Sequence, residues 1–131
     1  MTPIYHAKLE KELRCPLEYG LDLFGGKWKS RVICVLSAKA PLRYSALRSE
    51  MVNITDAVLA ATLKELSAKG IVQRVSYDEI PPRVEYSLTE KGQSVVPILQ
   101  SICQWSGVYY KEAPENALAQ CAKCDYRSGA R

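Results

Sequence analysis

The strongest constraint on the fold of this chain is a change of hydrophobic period at Gly70. Before this glycine, leucines recur every three or four positions over 59–66, which predicts the buried face of a helix. After it, 71–77 has the composition of a strand, and apolar residues alternate with polar ones over 83–88. The segment 78–82 is too rich in proline for a tight two-residue turn, so we expect an exposed hairpin tip. The predicted fold class is mainly α with a small β-hairpin.

Two short helices joined by a tight turn precede the hairpin. Ser45 is the predicted N-cap of a helix over 45–51, and 52–53 forms the turn. Thr55 is the predicted N-cap of the second helix, which runs to residue 69. A short helix, a brief turn and a capped second helix make a helix-turn-helix. With the hairpin directly after it, the predicted unit is a winged helix-turn-helix.

Helices are also predicted on both sides of this unit. Apolar residues at helical spacing predict helices over 3–24, with a break before Pro16, and over 27–38. A long last helix begins after Thr89, its predicted N-cap, and ends at Pro114.

The length and composition fit one compact domain. The chain has 131 residues, of which 47% are hydrophobic and 24% charged, so it can bury a core. We assign 1–114 to the winged-helix domain and 115–131 to a C-terminal tail. No apolar run approaches the roughly 20 residues that cross a bilayer, and the first residues lack a hydrophobic signal segment. We therefore expect a cytoplasmic protein with no membrane partner.

Positive charge is concentrated in one stretch of the chain. The net charge is +4, and 23–49 contains no acidic residue. The basic residues of that stretch are Lys27, Lys29, Arg31, Lys39, Arg43 and Arg48. A polyanion needs a one-signed surface of this kind, although a charged run can also be ordinary solvated surface. Combined with the helix-turn-helix, the charge favours double-stranded DNA as the partner; a winged helix that binds only proteins is the alternative.

The sequence offers little that an enzyme would need. It contains one histidine, His6, near the start of the chain. It lacks the dinucleotide-binding, phosphate-loop and zinc-protease motifs. We therefore predict no catalytic residue, no cofactor and no metal site.

Four motifs occur together in this chain at characteristic separations. They are CPLE at 15–18, GGKW at 25–28, LRYSAL at 42–47 and IPPRVEYSLTEKG at 80–92. In these motifs the chain resembles the HxlR-type family of bacterial winged-helix regulators, from about Cys15 to Trp105. The resemblance implies a homodimer held by a long terminal helix, a roughly palindromic operator and, as the expected sign of regulation, repression.

The resemblance places DNA contacts on the second helix of the helix-turn-helix, the recognition helix. The side chains expected to face outward are Thr55, Asp56, Ala57, Ala60, Ala61 and Lys64. The family commonly has basic or amide side chains on this face, where this chain has three alanines. Alanine contacts a thymine methyl group but makes no bidentate contact to guanine. We therefore expect few base contacts and more weight on DNA shape and phosphates, with Asp56 mainly complementing the helix dipole.

Basic residues outside that helix are further candidate DNA contacts. Arg83 resembles the family's wing arginine and is the first candidate, with an ion pair to Glu79 or Glu85 as the alternative. The candidate phosphate contacts are Lys29, Arg43, Arg48 and Lys64. Each of these four is ordinary solvated surface in the alternative interpretation.

Five cysteines in a chain without an export signal make a disulfide framework a poor expectation. Cys34 and Cys103 adjoin apolar helix faces and are predicted to be buried. Cys15 precedes a helix N-terminus, where the dipole favours a thiolate, and it lies where members of the resembled family carry a cysteine that senses oxidants or electrophiles. We hypothesise that Cys15 is a reactive thiol whose modification changes DNA affinity; a structural cysteine beside the dimer interface is the alternative.

Cys121 and Cys124 form a single CxxC pair in the tail. Three interpretations stay open for it: a disulfide partner for oxidised Cys15, half of a metal site completed elsewhere, or an inert tail. A regulator that responds to a small molecule without thiol chemistry is the remaining alternative for the signal.

Overall fold

A computed structural model describes residues 15–110 of the chain. Within that range the elements are α1 (Pro16–Phe24), α2 (Lys27–Lys39), β1 (Leu42–Arg43), α3 (Tyr44–Met51), α4 (Asp56–Ala68), β2 (Val72–Tyr77), β3 (Arg83–Leu88) and α5 (Glu90–Tyr109). Five helices with one small sheet confirm the predicted fold class. The predicted helix before residue 15, the domain end at 114 and the tail over 115–131 lie outside the described residues.

The first helix of the helix-turn-helix starts one residue earlier than predicted. α3 begins at Tyr44 and its N-cap is Arg43, so the prediction of Ser45 as N-cap was wrong. Serine is the better N-cap by local preference. However, Leu42 and Arg43 pair with β3 as a short antiparallel strand, and this pairing fixes where the chain leaves the sheet and enters α3.

The turn and the second helix agree with the sequence signals. Asn53, in the turn, has a φ of 56°, a left-handed conformation that asparagine tolerates better than most residues. Thr55 is the N-cap of α4, and its Oγ1 accepts a hydrogen bond from the N–H of Val58 at 3.2 Å. At the other end Gly70 has a φ of 76°, which confirms the predicted glycine after the helix. Local signals therefore define both ends of α4.

The wing is part of a three-stranded antiparallel sheet. The strand order is β1-β3-β2, and β2 and β3 pair along their whole length from Val72 opposite Leu88. At the tip between β2 and β3, Ile80 is fully exposed, which confirms the predicted exposed hairpin tip over 78–82. The hairpin thus projects beyond the core, and only the ends of its strands nearest the core are buried.

The core lies among α2, α3, α4 and the buried end of the sheet. The largest fully buried side chains are Val32, Ile33, Val35, Leu36, Leu47, Met51, Leu59, Leu66 and Ile71. α5 adds Val95 and Leu99 to this core, and Trp28 packs against it half-buried. Within residues 15–110, no helix is long and apolar enough to cross a membrane.

A glycine sets how closely α5 approaches the base of the wing. Thr89 is the N-cap of α5, as predicted, and its Oγ1 accepts the N–H of Gly92 at 3.0 Å. The same hydroxyl group also bonds the carbonyl of Gly70. A Cβ at Gly92 would lie 2.2 Å from the carbonyl oxygen of Ile71, so a side chain of any size collides with backbone there.

Candidate nucleic-acid interface

The outward face of α4 carries few polar or charged side chains. All of its predicted members are exposed: Thr55, Asp56, Ala57, Ala60, Ala61 and Lys64. The opposite face is buried through Leu59, Leu63 and Leu66, so the core fixes which side of the helix reaches solvent. This exposed face presents methyl groups beside one carboxylate and one ammonium group, on the helix that a helix-turn-helix places in the major groove.

A three-residue polar cluster surrounds the start of α4. The Nε of Arg48 forms an ion pair with Asp56 Oδ1 at 2.9 Å. The hydroxyl of Tyr44 donates to the same Oδ1, and to the carbonyl oxygen of Asp56, at 3.2 Å each. Burial, and then the Asp56 carboxylate, raise the pKa of Tyr44 above its ordinary value. Tyr44 therefore keeps its proton at neutral pH and remains a hydrogen-bond donor.

The basic stretch over 23–49 is partly neutralised by carboxylates from other elements. The ion pairs are Lys29–Glu65 at 3.0 Å, Lys39–Glu50 at 3.0 Å and Arg48–Asp56 at 2.9 Å. In addition, Lys27 and Arg31 lie over the ring of Trp28. Within 15–110, Arg43 and Lys64 form no ion pair, and both are exposed. Of the four candidate phosphate contacts, these two are therefore the cations available to DNA without breaking an ion pair.

Lys29, on α2, forms contacts with both α1 and α4. Its Nζ binds Glu65 on α4 and the carbonyl oxygen of Asp22 on α1, at 3.0 and 2.6 Å. Lys69 binds the carboxylate of the same Asp22 at 3.2 Å. This junction lies at the C-terminal half of α4, away from the first turn that holds Asp56. The geometry thus favours a structural role for Lys29 over phosphate binding.

Arg83 occupies the base of the wing tip. Its guanidinium binds Glu79 at 2.8 Å and Glu85 at 3.1 Å, so both ion pairs of the alternative interpretation are present. The same group lies over the Tyr77 ring, with Cζ 3.8 Å from the centroid. The hydrogen bond to Glu79 raises the pKa of Arg83 above its ordinary value. Arg83 therefore links β2, the tip and β3, and stabilises the shape of the wing tip.

We expect Arg83→Ala to loosen the wing, because it removes both ion pairs and the contact with Tyr77. Backbone amides over 75–85 should exchange with deuterium about tenfold faster, while those of α4 stay unchanged. Arg83→Lys retains the positive charge but lacks the planar guanidinium group. Its exchange rates over 75–85 should lie between those of the wild type and Arg83→Ala. Unchanged exchange in Arg83→Ala would show that the wing is held by its strand pairing alone.

Cys15 lies at the surface, at the N-cap of α1. Its backbone N–H donates to Glu18 Oε1 at 3.1 Å. The predicted burial of Cys34 and Cys103 was only partly right, because both are half-buried, Cys34 against the core. Cys121 and Cys124 lie outside the described residues, so their three interpretations stay open. Within 15–110, no group of three His, Cys, Asp or Glu side chains is placed to hold a metal ion.

The helix that starts at Cys15 is connected to both the recognition helix and α5. At one end of α1, Asp22 binds Lys69 just after α4. In its middle, the Tyr19 hydroxyl accepts from the Nζ of Lys91 in the first turn of α5 at 3.1 Å. A displacement of α1 would therefore break contacts to the end of α4 and the start of α5 together.

An exposed apolar face runs along the second half of α5. Its members are Ile98, Ile102, Trp105 and Tyr109, spaced four, three and four residues apart. The rings of Trp105 and Tyr109 lie 5.3 Å apart, and Trp105 is 67% exposed. The spacing of these residues is that of an apolar stripe along one side of a helix. A helix with one face in the core and a second apolar face in solvent has the form of an interface helix.

The geometry described above agrees with a comparison to protein families. A model of the HxlR-like helix-turn-helix family matches residues 23–114. The chain belongs to this family. This confirms the resemblance found in the sequence motifs. The chain is a winged helix-turn-helix transcriptional regulator.

Relatives and solved structures agree with the assignment. An uncharacterised helix-turn-helix transcriptional regulator of Methanothermobacter thermautotrophicus is 45% identical over 100 residues, which cover 76% of each chain. The redox regulator HypR in its oxidised form superposes with a TM-score of 0.68 at 38% identity, covering 76% of this chain and 100% of HypR. Diamide-treated YodB from Bacillus subtilis gives a TM-score of 0.64 at 32% identity, covering 76% of this chain and 99% of YodB.

Proposed function

We propose that this protein binds a roughly palindromic operator as a homodimer and represses transcription there. A chromosomal operator places it in the cytoplasm, with a regulatory rather than a catalytic role. The observation that carries the proposal is the exposed outward face of α4 on a helix-turn-helix whose other face is locked in the core. Arg43 and Lys64 supply cations for phosphates, and the wing extends the contact surface.

The exposed face of α5 supports the homodimer. A second copy of the same helix can cover Ile98, Ile102 and Trp105 with its own apolar side chains, as in an isologous two-fold interface. Two-fold symmetry would then present two recognition helices to the two halves of a palindrome.

Cys15 is the proposed link between oxidants or electrophiles and operator release. Its exposure and its position at the start of α1 support this role, because α1 contacts both α4 and α5. HypR, with which the chain shares its fold at 38% identity, is a redox regulator, and YodB is known in a diamide-treated form. In this chain, oxidation would join Cys15 by a disulfide to a second thiol.

The DNA-binding proposal is tested by filter binding to the DNA upstream of the protein's own gene, at several salt concentrations. For about six phosphate contacts per dimer, affinity should fall by roughly a thousandfold between 50 and 200 mM salt. Lys64→Ala should reduce the logarithmic salt slope by about two, one contact per protomer. Lys69→Ala removes the same charge just after the other end of α4. It also breaks the ion pair with Asp22, which adds no phosphate contact, so its slope should equal that of the wild type. Failure to bind this and all other genomic fragments would favour the protein-interaction alternative.

The thiol proposal is tested in the same assay with diamide. Diamide takes two electrons and two protons from two thiols and leaves a disulfide, so the second thiol is another cysteine or added glutathione. Oxidation should weaken operator binding by about 5- to 150-fold, as expected for a coupling of about 1–3 kcal/mol, and dithiothreitol should restore it. Cys15→Ser should bind the operator with wild-type affinity, and diamide should not change that affinity. Cys34→Ser should lose affinity on oxidation as the wild type does. A Cys15→Ser protein that still releases DNA would contradict the thiol role and favour a small-molecule signal.

A further inference from the structure

Few side chains at the start of α4 can distinguish one base from another. The three alanines of the outward face provide only methyl groups. Thr55 Oγ1 already accepts the N–H of Val58 as the helix cap. Lys64 lies two turns further along the helix, about 12 Å from Asp56 at 1.5 Å per residue. Asp56 is therefore the principal hydrogen-bonding group in the part of α4 that enters a groove first.

The carboxylate of Asp56 is held through only one of its oxygens. Arg48 and the Tyr44 hydroxyl both bind Oδ1, at 2.9 and 3.2 Å. Within residues 15–110, Oδ2 accepts no hydrogen bond. The side chain is 71% exposed, so this second oxygen remains accessible to a ligand. The hydrogen bond from the Tyr44 hydroxyl and the ion pair with Arg48 thus both act on Oδ1, which orients the carboxylate and leaves Oδ2 as the available acceptor.

The ion pair also reduces the electrostatic repulsion between the Asp56 carboxylate and DNA. An isolated aspartate would be repelled by the phosphates of both strands. Paired with Arg48, the cluster has no net charge, and the protonated Tyr44 adds none. Asp56 can therefore approach a base edge, although this uses the guanidinium that was predicted to bind a phosphate.

We propose that Asp56 reads a cytosine in each operator half-site, with Oδ2 accepting from the N4 amino group in the major groove. Arg48 and Tyr44 act as positioning residues. The major-groove edges of guanine and thymine present acceptors where a carboxylate needs a donor. Adenine has a donor at N6, but its N7 acceptor lies beside that donor and repels the second carboxylate oxygen. The inference rests on the proposed function, since it requires α4 to enter the major groove.

The test is in vitro selection of operators from a random double-stranded DNA library by the reduced full-length protein. The wild type should enrich a symmetric motif with one strongly preferred cytosine per half-site. Replacing that cytosine by another base should weaken binding about tenfold, in the range of a lost base contact. Asp56→Ala should lose the preference at that position only. Asp56→Asn should change it toward adenine, because an amide matches the N6 donor and N7 acceptor.

A double-mutant cycle separates positioning by Arg48 from phosphate binding. If Arg48 serves Asp56, then Arg48→Ala should reduce the cytosine preference and should cost little affinity once Asp56 is alanine. A phosphate contact would instead cost the same affinity in both backgrounds and leave the base preference intact. Tyr44→Phe should reduce the preference in the same direction with a smaller effect.

The outcomes distinguish this inference from the proposed function. If the wild type enriches a motif and Asp56→Ala keeps its full cytosine preference, the role of Asp56 is overturned while DNA binding stands. A motif without any preferred cytosine would likewise overturn the role of Asp56 and leave DNA binding intact. If the wild type enriches no sequence at all, the proposed function fails and the inference fails with it.

Discussion

Replacing Trp105 with glutamate is expected to make the protein monomeric and to weaken operator binding by roughly 100-fold or more. Trp105 is 67% exposed at the centre of the apolar face of α5, so the substitution changes few contacts within one protomer. In a dimer the new carboxylates would be buried at the interface, where desolvation strongly disfavours charge. Light scattering after size-exclusion chromatography measures the mass, and a gel shift measures the affinity.

The loss of affinity has a separate physical cause from the loss of mass. A dimer binds the second half-site as an intramolecular step, so a monomer loses that gain without losing any contact to one half-site. Gln93→Glu provides the control, because it adds the same charge to α5 at an exposed position and should remain dimeric. A dimeric Trp105→Glu protein at micromolar concentration would show that the interface lies elsewhere.

Gly92→Ala is expected to destabilise the fold by about 3 kcal/mol, at the upper end of typical overpacking effects. The added Cβ would lie 2.2 Å from the Ile71 carbonyl oxygen and 3.3 Å from the Leu88 Cβ. The first contact is to backbone, so relief requires α5 to move away from the wing and to weaken the cap at Thr89. Urea unfolding followed by circular dichroism measures the free energy, and the melting temperature should fall by about 10 °C.

Gly20→Ala is the matched control for this substitution. A Cβ at Gly20 meets only the Phe24 ring, at an ordinary 3.4 Å. Because alanine has the higher helix propensity, this variant should be unchanged or up to about 1 kcal/mol more stable. If Gly92→Ala unfolds at the same urea concentration as the wild type, the close approach of α5 does not limit stability.

Local signals explain which parts of the fold were predictable. The N-caps Thr55 and Thr89 bond a backbone N–H three residues away, so their effect is encoded within one turn. The start of α3 depends instead on Leu42 and Arg43, which pair with residues 85–86 more than forty positions later. A contact over that separation leaves no periodic signal, and the local preference for Ser45 gave the wrong boundary.

In the candidate interface, too, contacts between residues close in sequence were predictable and contacts between distant residues were not. The alternative ion pairs of Arg83 were foreseeable because Glu79 and Glu85 lie four and two residues away. The ion pair of Lys29 with Glu65 spans 36 positions and joins two helices, so no local pattern indicates that this cation is paired. For Arg48 and Asp56, the turn between α3 and α4 decides the distance, which only a three-dimensional structure provides.

The alanines at the surface of α4 also affect how easily new targets could evolve. Ala57, Ala60 and Ala61 are exposed and contribute nothing to the core, so longer side chains fit there without repacking. Exchanging alanine for arginine or glutamine in a helix costs only a few tenths of a kcal/mol. Each such exchange adds a group that can bond guanine or adenine. A duplicated gene could therefore acquire a different regulon through single substitutions, with its fold and stability almost unchanged.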